Sequence, residues 1–509
     1  MHSKIFSATP VGINAYPVEI EVDLSFGLIN FFIVGLPDTA IKESKHRILT
    51  ALKNTGFKLP QKKITVNLAP ADLKKEGTLF DLPIAIGILF AIKHIELSKQ
   101  FIEETIFLGE LSLDGSIKPI KGALAIAYDS KKIGKKRIIL PKENANEAAL
   151  LQELEIIGVE NIIELISYLK KEIEIQPTNY SWQNYYNQQL EQNLDFSQVK
   201  GQEQAKRALQ ICAAGNHNIL FVGSPGSGKT MLAKRLPTIM PKMTFDEILE
   251  TTKIYSISGK LQGQKLLFSR PFRNPHHTIS QAGLVGGGTF PQPGEISLAH
   301  NGILFLDELT EFKRSTLEVL RQPLENKNVC LARANHTIEY PASFLLVAAL
   351  NPCPCGFFGD KKKQCVCSSQ QIAKYIEKLS GPLLDRIDLQ VYVQSIEYSE
   401  ITSTNKINNS QDIYSSVEKA VEKQKLRFSK ARYNSSMSTE EIEKYCELTS
   451  EAQAILKKTF ERLNLSMRGY HKILKVSRTI ADLDDKEIID VKHIQEAVMY
   501  RSLDQKLQE

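Results

Sequence analysis

The sequence predicts an α/β protein that ends in an all-helical part. Three patterns carry this expectation. Residues 1–173 alternate strand-like and helix-like segments, residues 196–393 do so again around a glycine-rich phosphate-binding pattern, and residues 394–509 carry apolar residues at three-to-four spacing. A chain of 509 residues is too long for one compact core, so several domains are expected.

The elements follow in order. VEIEVDLS (18–25) alternates apolar with acidic or polar positions, as a half-exposed strand does, and KKITVNLAP (62–70) is a second such run. IKESKHRILTALKNTG (41–56) has helical spacing and ends at Gly56, a helix stop. LFDLPIAIGILFAIKH (79–94) is nearly all apolar and reads as a buried helix. KKRIILP (135–141) and LEIIGVE (154–160) read as short strands. Residues 174–195 are rich in Gln, Asn and Tyr, hold the single tryptophan, Trp182, and lack periodicity, so they read as a linker. Its aromatics are expected to pack on a neighbouring domain rather than stack on a base. In the C-terminal part, Ser438 followed by Glu441 predicts a capping box.

Composition excludes little. Apolar content of 42% and charged content of 24% are ordinary for a globular protein. The net charge of +6 permits contact with a polyanion, although a solvated surface explains it equally well. No apolar run reaches membrane-spanning length, and MHSKIFSATPVG lacks the apolar core of a signal peptide. The expectation is a cytoplasmic protein with no membrane partner.

The strongest motif is GSPGSGKT (223–230), between an apolar strand and a helical segment. Gly223, Gly226 and Gly228 let the backbone of the loop, which also holds Ser224, Pro225 and Ser227, curl so that its N–H groups, Pro225 having none, surround phosphate oxygens at the start of a helix. Lys229 is expected to contact the β- and γ-phosphates of ATP, and Thr230 to ligate Mg²⁺. Downstream, the apolar run of NGILFLDEL ends in Asp307 and Glu308: the first to hold Mg²⁺, the second to polarise the attacking water. A third strand, SFLLVAALNP, ends at Asn351, which could orient that water or sense the γ-phosphate. Strands ending at phosphate-handling residues place the site at the carboxyl edge of an open sheet.

GSPGSGKT, ILFLDE, ALNPCPCG and GPLLDRID together resemble the magnesium-chelatase-like branch of the AAA+ ATPases, and specifically the ComM/YifB family of competence-related DNA-processing ATPases. The likeness covers nearly the whole chain, including FRNPHHTISQAGLVGGG and SMRGYHKILKVSRTIADL. It implies a central AAA+ phosphate-loop domain with a parallel sheet (196–393) and a C-terminal all-helical lid (394–509). It also implies roles: Asn351 as the sensor-1 residue, Arg386 as an arginine finger given to the neighbouring subunit, and Arg468 as the sensor-2 arginine. Guanidinium groups suit a transition state whose charge spreads over phosphoryl oxygens. A finger donated in trans implies a homo-oligomeric ring, in this family a hexamer.

Four of the seven cysteines fall within fifteen positions, as Cys353-Pro-Cys355 and Cys365-Val-Cys367. Two tight pairs on one loop can converge on a tetrahedral Zn²⁺; disulfides and free thiols are the rivals, disfavoured and left open in a reducing compartment. Gly356 and Gly359 let the loop fold back, and Lys361 to Lys363 would offset the thiolate charge. Such a zinc-stapled loop (353–367) could pass the ATP state to DNA or to another subunit. Cys212, Cys330 and Cys446 are expected to be packing residues. His276 and His277, read as strand neighbours, should point to opposite faces and share no metal. Gly286 to Gly288 would suit a mobile loop facing the pore of the ring, where it could contact DNA.

KKEGTLFDLPIAIGIL and FLGELSLDGSIKPIKGALAIA resemble the proteolytic fold of Lon-type enzymes, which implies a Lon-protease-like N-terminal α/β domain (1–173). The position of the Lon serine holds Asp81, that of its lysine falls at or near Leu124, and Lys121 lies three residues earlier. With no nucleophile to activate, this domain is expected to bind DNA or organise the ring rather than cleave peptides. Lys74, Lys75, Lys131, Lys132, Lys135, Lys136 and Arg137 could contact phosphates, although most charge runs are only solvated faces. The expected function is an ATP-driven, ring-forming DNA motor (single-stranded or branched DNA) for branch migration in recombination and transformation. A chelatase-type motor subunit and a protein-remodelling machine are the rivals.

Overall fold

A computed structural model describes the chain except residues 1, 29, 60, 72, 74, 76, 152, 180–193, 262–265, 289–291, 333–336, 361, 396–408, 430, 431, 464 and 502–509. The expectations for Trp182, Lys74 and Lys361 therefore lie outside the described residues. Two compact units emerge, one of residues 1–188 with 248–267, the other of 189–247 with 268–509. Residues 248–267, inside the stretch read from sequence as ATPase core, belong to the first unit. There Lys253 Nζ pairs with Asp129 Oδ1 at 3.7 Å, and Ser256 donates to Glu147 Oε1 at 2.5 Å.

The first unit holds a four-stranded sheet in the order His2–Val11, Asn14–Ser25, Lys63–Ala69, Phe31–Val34, antiparallel except for the last pair. The alternation that predicts Asn14–Ser25 is a burial pattern: Val18, Ile20, Val22 and Leu24 face inward. A parallel sheet of Thr105–Phe107, Arg137–Pro141 and Glu155–Val159 lies in the same unit. Helix Thr39–Asn54 starts where Asp38 Oδ1 accepts from the Ile41 N–H at 2.8 Å, and ends before Gly56, whose φ is 86°. Helix Asp81–Ala91 is buried almost all round, as its composition requires.

The positions expected from sequence to match a Lon dyad are Asp81 and a residue at or near Leu124. Asp81 is buried at the first residue of its helix, gripped by Arg47 through Nε at 2.7 Å and Nη2 at 3.1 Å. Burial pushes its carboxyl up to about 6 in spite of that pairing. Leu124 is fully buried, while Lys121 is exposed. Most of the basic residues proposed as phosphate contacts are otherwise engaged. Lys75 is fully buried, its ammonium donating to the Pro70 carbonyl. Lys131 pairs with Glu153 at 2.8 Å, Lys136 with Glu104 at 2.6 Å and Arg137 with Glu155 at 2.5 Å. Lys132 lies over the Tyr128 ring at 4.3 Å and Lys135 over Phe6 at 3.7 Å. Lys131, Lys136 and Arg137 are thus ion-paired, as charges in solvated runs commonly are.

In the second unit five parallel strands run in the order Phe272–Arg273, Ile303–Leu306, Leu345–Leu350, Ile219–Val222, Leu389–Tyr392. Both faces are covered, so the strands are continuous apolar runs whose alternate residues enter different cores. Ile219, Phe221, Ile303, Phe305, Val347 and Val391 join one; Leu220, Val222, Leu304, Leu306, Leu346 and Leu350 join the other. The C-terminal helices Ser410–Phe428, Met467–Leu483 and Val491–Met499 contribute Val417, Ile480 and Ile494 to the first of these cores. The capping box at Ser438 and Glu441 is present.

Candidate functional site

Strand Ile219–Val222 delivers the chain to Gly223, where a Cβ would lie 2.2 Å from the Val393 carbonyl oxygen, so no side chain fits. Ser224 and Pro225 follow, then Gly226 and Gly228 turn the loop at φ of 78° and 95° around Ser227, in the left-handed region that glycine favours. Helix Lys229–Arg235 then begins. The Lys229 ammonium folds back into the loop and donates to the Gly223 carbonyl at 2.6 Å, the Ser224 carbonyl at 2.9 Å and Asn351 Oδ1 at 3.2 Å. Burial lowers its pKa, while the Asp307 and Glu308 carboxylates oppose the shift.

Thr230, the next residue, donates its hydroxyl to Asp307 Oδ2 at 2.7 Å. Asp307 and Glu308 follow strand Ile303–Leu306, and Asn351 follows the neighbouring strand Leu345–Leu350. Three adjacent strands of one parallel sheet thus bring Lys229, Thr230, Asp307, Glu308 and Asn351 to one edge. Hard divalent cations take oxygen ligands. The Thr230 hydroxyl and the Asp307 carboxylate, already in contact, are a donor set that fits Mg²⁺. Glu308 adopts a left-handed φ of 52° and is exposed, with Oε2 at 3.5 Å from His277 Nδ1.

The histidine pair differs from its strand-based expectation. His276 and His277 follow strand Phe272–Arg273, in loop and turn, and their rings stack with centroids 4.1 Å apart rather than pointing to opposite faces. His277 also packs edge-on to Phe312 at 6.4 Å, so it is braced beside Glu308. Gly286–Gly287 pairs with Gln292–Pro293 as a small antiparallel ribbon.

The four thiols converge. Cys353, Cys355, Cys365 and Cys367 place their sulfurs within 4.8 Å of one another. Cys353 to Cys355 is 3.3 Å, Cys353 to Cys365 3.7 Å and Cys355 to Cys365 3.6 Å. A tetrahedral zinc with Zn–S bonds of about 2.3 Å sets sulfurs about 3.8 Å apart, whereas a disulfide needs about 2.05 Å. None of the four is in a disulfide, and the donor set fits zinc. Of the remaining cysteines, Cys212 and Cys446 are buried as expected. Cys330 is exposed on strand Asn328–Ala332, which pairs antiparallel with Thr337–Pro341, so it is not a packing residue; its neighbour Val329 faces inward instead.

Comparison with known proteins shows the family. The family described as "Magnesium chelatase, subunit ChlI" matches residues 195–401, "Subunit ChlI of Mg-chelatase" matches 20–144, and the ChlI C-terminal family matches 407–501. Competence protein ComM of Haemophilus influenzae is 43% identical, over 99% of this chain and 98% of its own. YifB of Escherichia coli is 41% identical over the same shares. The chain belongs to the ComM/YifB family of magnesium-chelatase-like AAA+ proteins. Lon protease 2 of Bacillus subtilis is 33% identical over 129 residues, 25% of this chain and 22% of its own.

In this ComM/YifB-family chain neither arginine side chain bonds to the Lys229 cluster among the described residues. Arg386 turns its guanidinium to Glu325 and to the Pro382 carbonyl. Arg468 is exposed in the first turn of helix Met467–Leu483, which Ser466 caps, and it has no hydrogen bond or ion pair among the described residues. Two neighbours of the site escaped the sequence reading. One is His277 beside Glu308. The other is Asp360, which accepts a hydrogen bond from the Ser224 hydroxyl. No helix among the described residues is long and apolar enough to cross a membrane.

Proposed function

We propose that this chain is an ATPase that works on DNA as a homo-oligomeric ring, with single-stranded or branched DNA as its client and branch migration in recombination as its task. One observation carries the ATPase half: Lys229, Thr230, Asp307, Glu308 and Asn351 meet at the ends of adjacent parallel strands. The DNA half is supported by full-length likeness to a competence protein.

The residues divide the work. Residues 223–230 and Lys229 bind and orient the β- and γ-phosphates of ATP. Thr230 and Asp307 hold Mg²⁺, which supplies charge neutralisation at the phosphoryl oxygens. Glu308 takes the proton of the attacking water, and Asn351 orients that water or senses the γ-phosphate. Arg386 of a neighbouring subunit and Arg468 of the helical part stabilise the charge that spreads over the transferred group. The four thiols hold a structural Zn²⁺. Metal analysis checks that assignment: about one zinc per chain is expected, and Cys353→Ser is expected to lose it.

The test is ATP hydrolysis by the full chain, with and without single-stranded and forked DNA, at low and moderate salt. Stimulation by DNA that weakens with salt and vanishes in Glu308→Gln is the expected result. Turnover indifferent to every DNA would defeat the DNA half and turn attention to metal insertion or protein remodelling.

A further inference from the structure

The loop that carries the thiols grips the phosphate loop directly. Between its two cysteine pairs, Asp360 accepts a hydrogen bond from the hydroxyl of Ser224, a phosphate-loop residue only 3% exposed. The Ser224 carbonyl in turn accepts from Lys229 Nζ at 2.9 Å. The other oxygen of Asp360 holds its own loop, accepting from the N–H groups of Lys362 at 2.7 Å and Lys363 at 3.1 Å. One carboxylate therefore joins two loops.

Further contacts act in the same sense. Gly356, at φ 85°, packs so closely on Pro225 that a Cβ there would lie 2.6 Å from the proline Cδ. Tyr392, at the end of strand Leu389–Tyr392, donates to the Phe358 carbonyl at 3.0 Å. Two residues before Cys353, Asn351 Oδ1 accepts from the Lys229 ammonium at 3.2 Å. Ser224, Asp360 and Tyr392 also line a cleft of about 390 Å³ together with Gln202, whose amide donates to the Ser227 carbonyl at 3.3 Å. The phosphate loop is thus held from the side of the thiol cluster as well as by its own strand and helix. A short loop with no core of its own keeps its shape through such a staple.

We infer that Asp360 is a positioning residue for nucleotide binding, and that the metal held by the four thiols sets nucleotide affinity through it. The inference rests on the reading of residues 223–230 as the ATP site. With the thiols gathered on a metal, Asp360 is presented to Ser224, and the carbonyls that hold Lys229 keep their positions. Without the metal, the segment between the cysteine pairs loses its fixed ends, and the phosphate loop loses one of its walls.

The test measures the dissociation constant of a fluorescent ATP analogue with Mg²⁺ present. It uses full-length protein in a Glu308→Gln background, so that hydrolysis does not interfere. Asp360→Asn and Ser224→Ala are each expected to weaken binding about ten-fold, the scale of one charge-assisted hydrogen bond. The double variant should be no weaker than either single one, the non-additivity expected when both side chains act through one contact. Protein stripped of zinc by a thiol-reactive chelator should weaken comparably and recover when zinc is returned. Thermal unfolding identifies any variant that fails to fold; Ser224→Ala and the metal arm then still decide. Unchanged affinity in the single variants, additive losses, or full affinity in metal-free protein would each overturn the inference. Lys229→Ala separates the two readings: if the parent binds no analogue, or this variant binds as well as the parent, the ATP-site reading itself has failed.

Discussion

Lys229 is the most constrained group of the site, a buried ammonium satisfied by two loop carbonyls and one amide oxygen. Such a charge holds its place only because every donor has an acceptor. Lys229→Ala is expected to abolish detectable binding of an ATP analogue while the circular-dichroism spectrum stays that of wild type. Retained binding would remove the phosphate-loop assignment. Glu308→Gln should keep nucleotide affinity and lower turnover by at least about 100-fold, the usual worth of a positioned general base; a smaller loss would transfer that role elsewhere. These residues were legible because their chemistry is local: glycines, lysine and threonine in one octapeptide, and an acidic pair closing an apolar strand. Asp360 was not legible, because its partner Ser224 lies 136 positions away and nothing in the local sequence marks the pair. The stacking of His276 on His277 is hidden for a related reason: the two-residue alternation of a strand does not hold in the loop and turn where these residues lie.

At the scale of elements, two buried ionic groups decide what the helices tolerate. Asp482, on helix Met467–Leu483, accepts from Arg427 Nη1 at 2.8 Å and Nη2 at 2.5 Å, from Arg478 Nε at 3.2 Å and from Asn434 Nδ2 at 2.8 Å. The Asp482 and Arg478 side chains are 1% and 2% exposed. Removing one partner of a buried pair strands the others, which costs about 3–5 kcal/mol. Asp482→Ala should therefore shift the urea midpoint sharply downward, whereas Lys423→Ala, which removes a more exposed pair with Asp485, should change stability by under about 1 kcal/mol. Equal effects would mean that the buried cluster is not the tie it looks to be. Asp81 makes a different prediction. Its carboxyl is raised to about 6 by burial, above the ordinary carboxylate value, so its contribution to stability is fully present below about pH 4 and is lost as pH rises through about 6. The stability of wild type relative to Asp81→Asn should fall over that window by about 2 kcal/mol, read from urea unfolding at several pH values. A flat difference would show that Arg47 keeps Asp81 ionised throughout. The helices themselves were legible from periodicity. Their ionic ties were not, because Arg427 meets Asp482 across 55 positions.

At the scale of the whole molecule, the placement of Arg386 bears on whether one copy suffices. Within one chain its guanidinium serves Glu325 and the Pro382 carbonyl, and its Nε is buried without a partner among the described residues. The family likeness implies that such an arginine acts on a neighbouring subunit's nucleotide, and an arginine so placed stabilises a transition state only when the copies assemble. Complementation tests this without imaging the assembly. Arg386→Ala keeps its own Lys229 and Glu308 but has no finger to give; Glu308→Gln keeps the finger but has no base of its own. Each variant alone should be nearly inactive. Mixed under conditions that exchange subunits, the Arg386→Ala copies receive a finger from Glu308→Gln neighbours, so ATP turnover should reappear and peak near equal mixing. An arginine that acted within its own chain would give no gain at any ratio. The pair with Glu325 sharpens the reading. Glu325→Ala frees the guanidinium but leaves the nucleotide residues untouched, so its turnover should rise with protein concentration as that of wild type does. Loss of assembly in Glu325→Ala, seen by light scattering, would instead make the Arg386–Glu325 pair a part of the subunit interface.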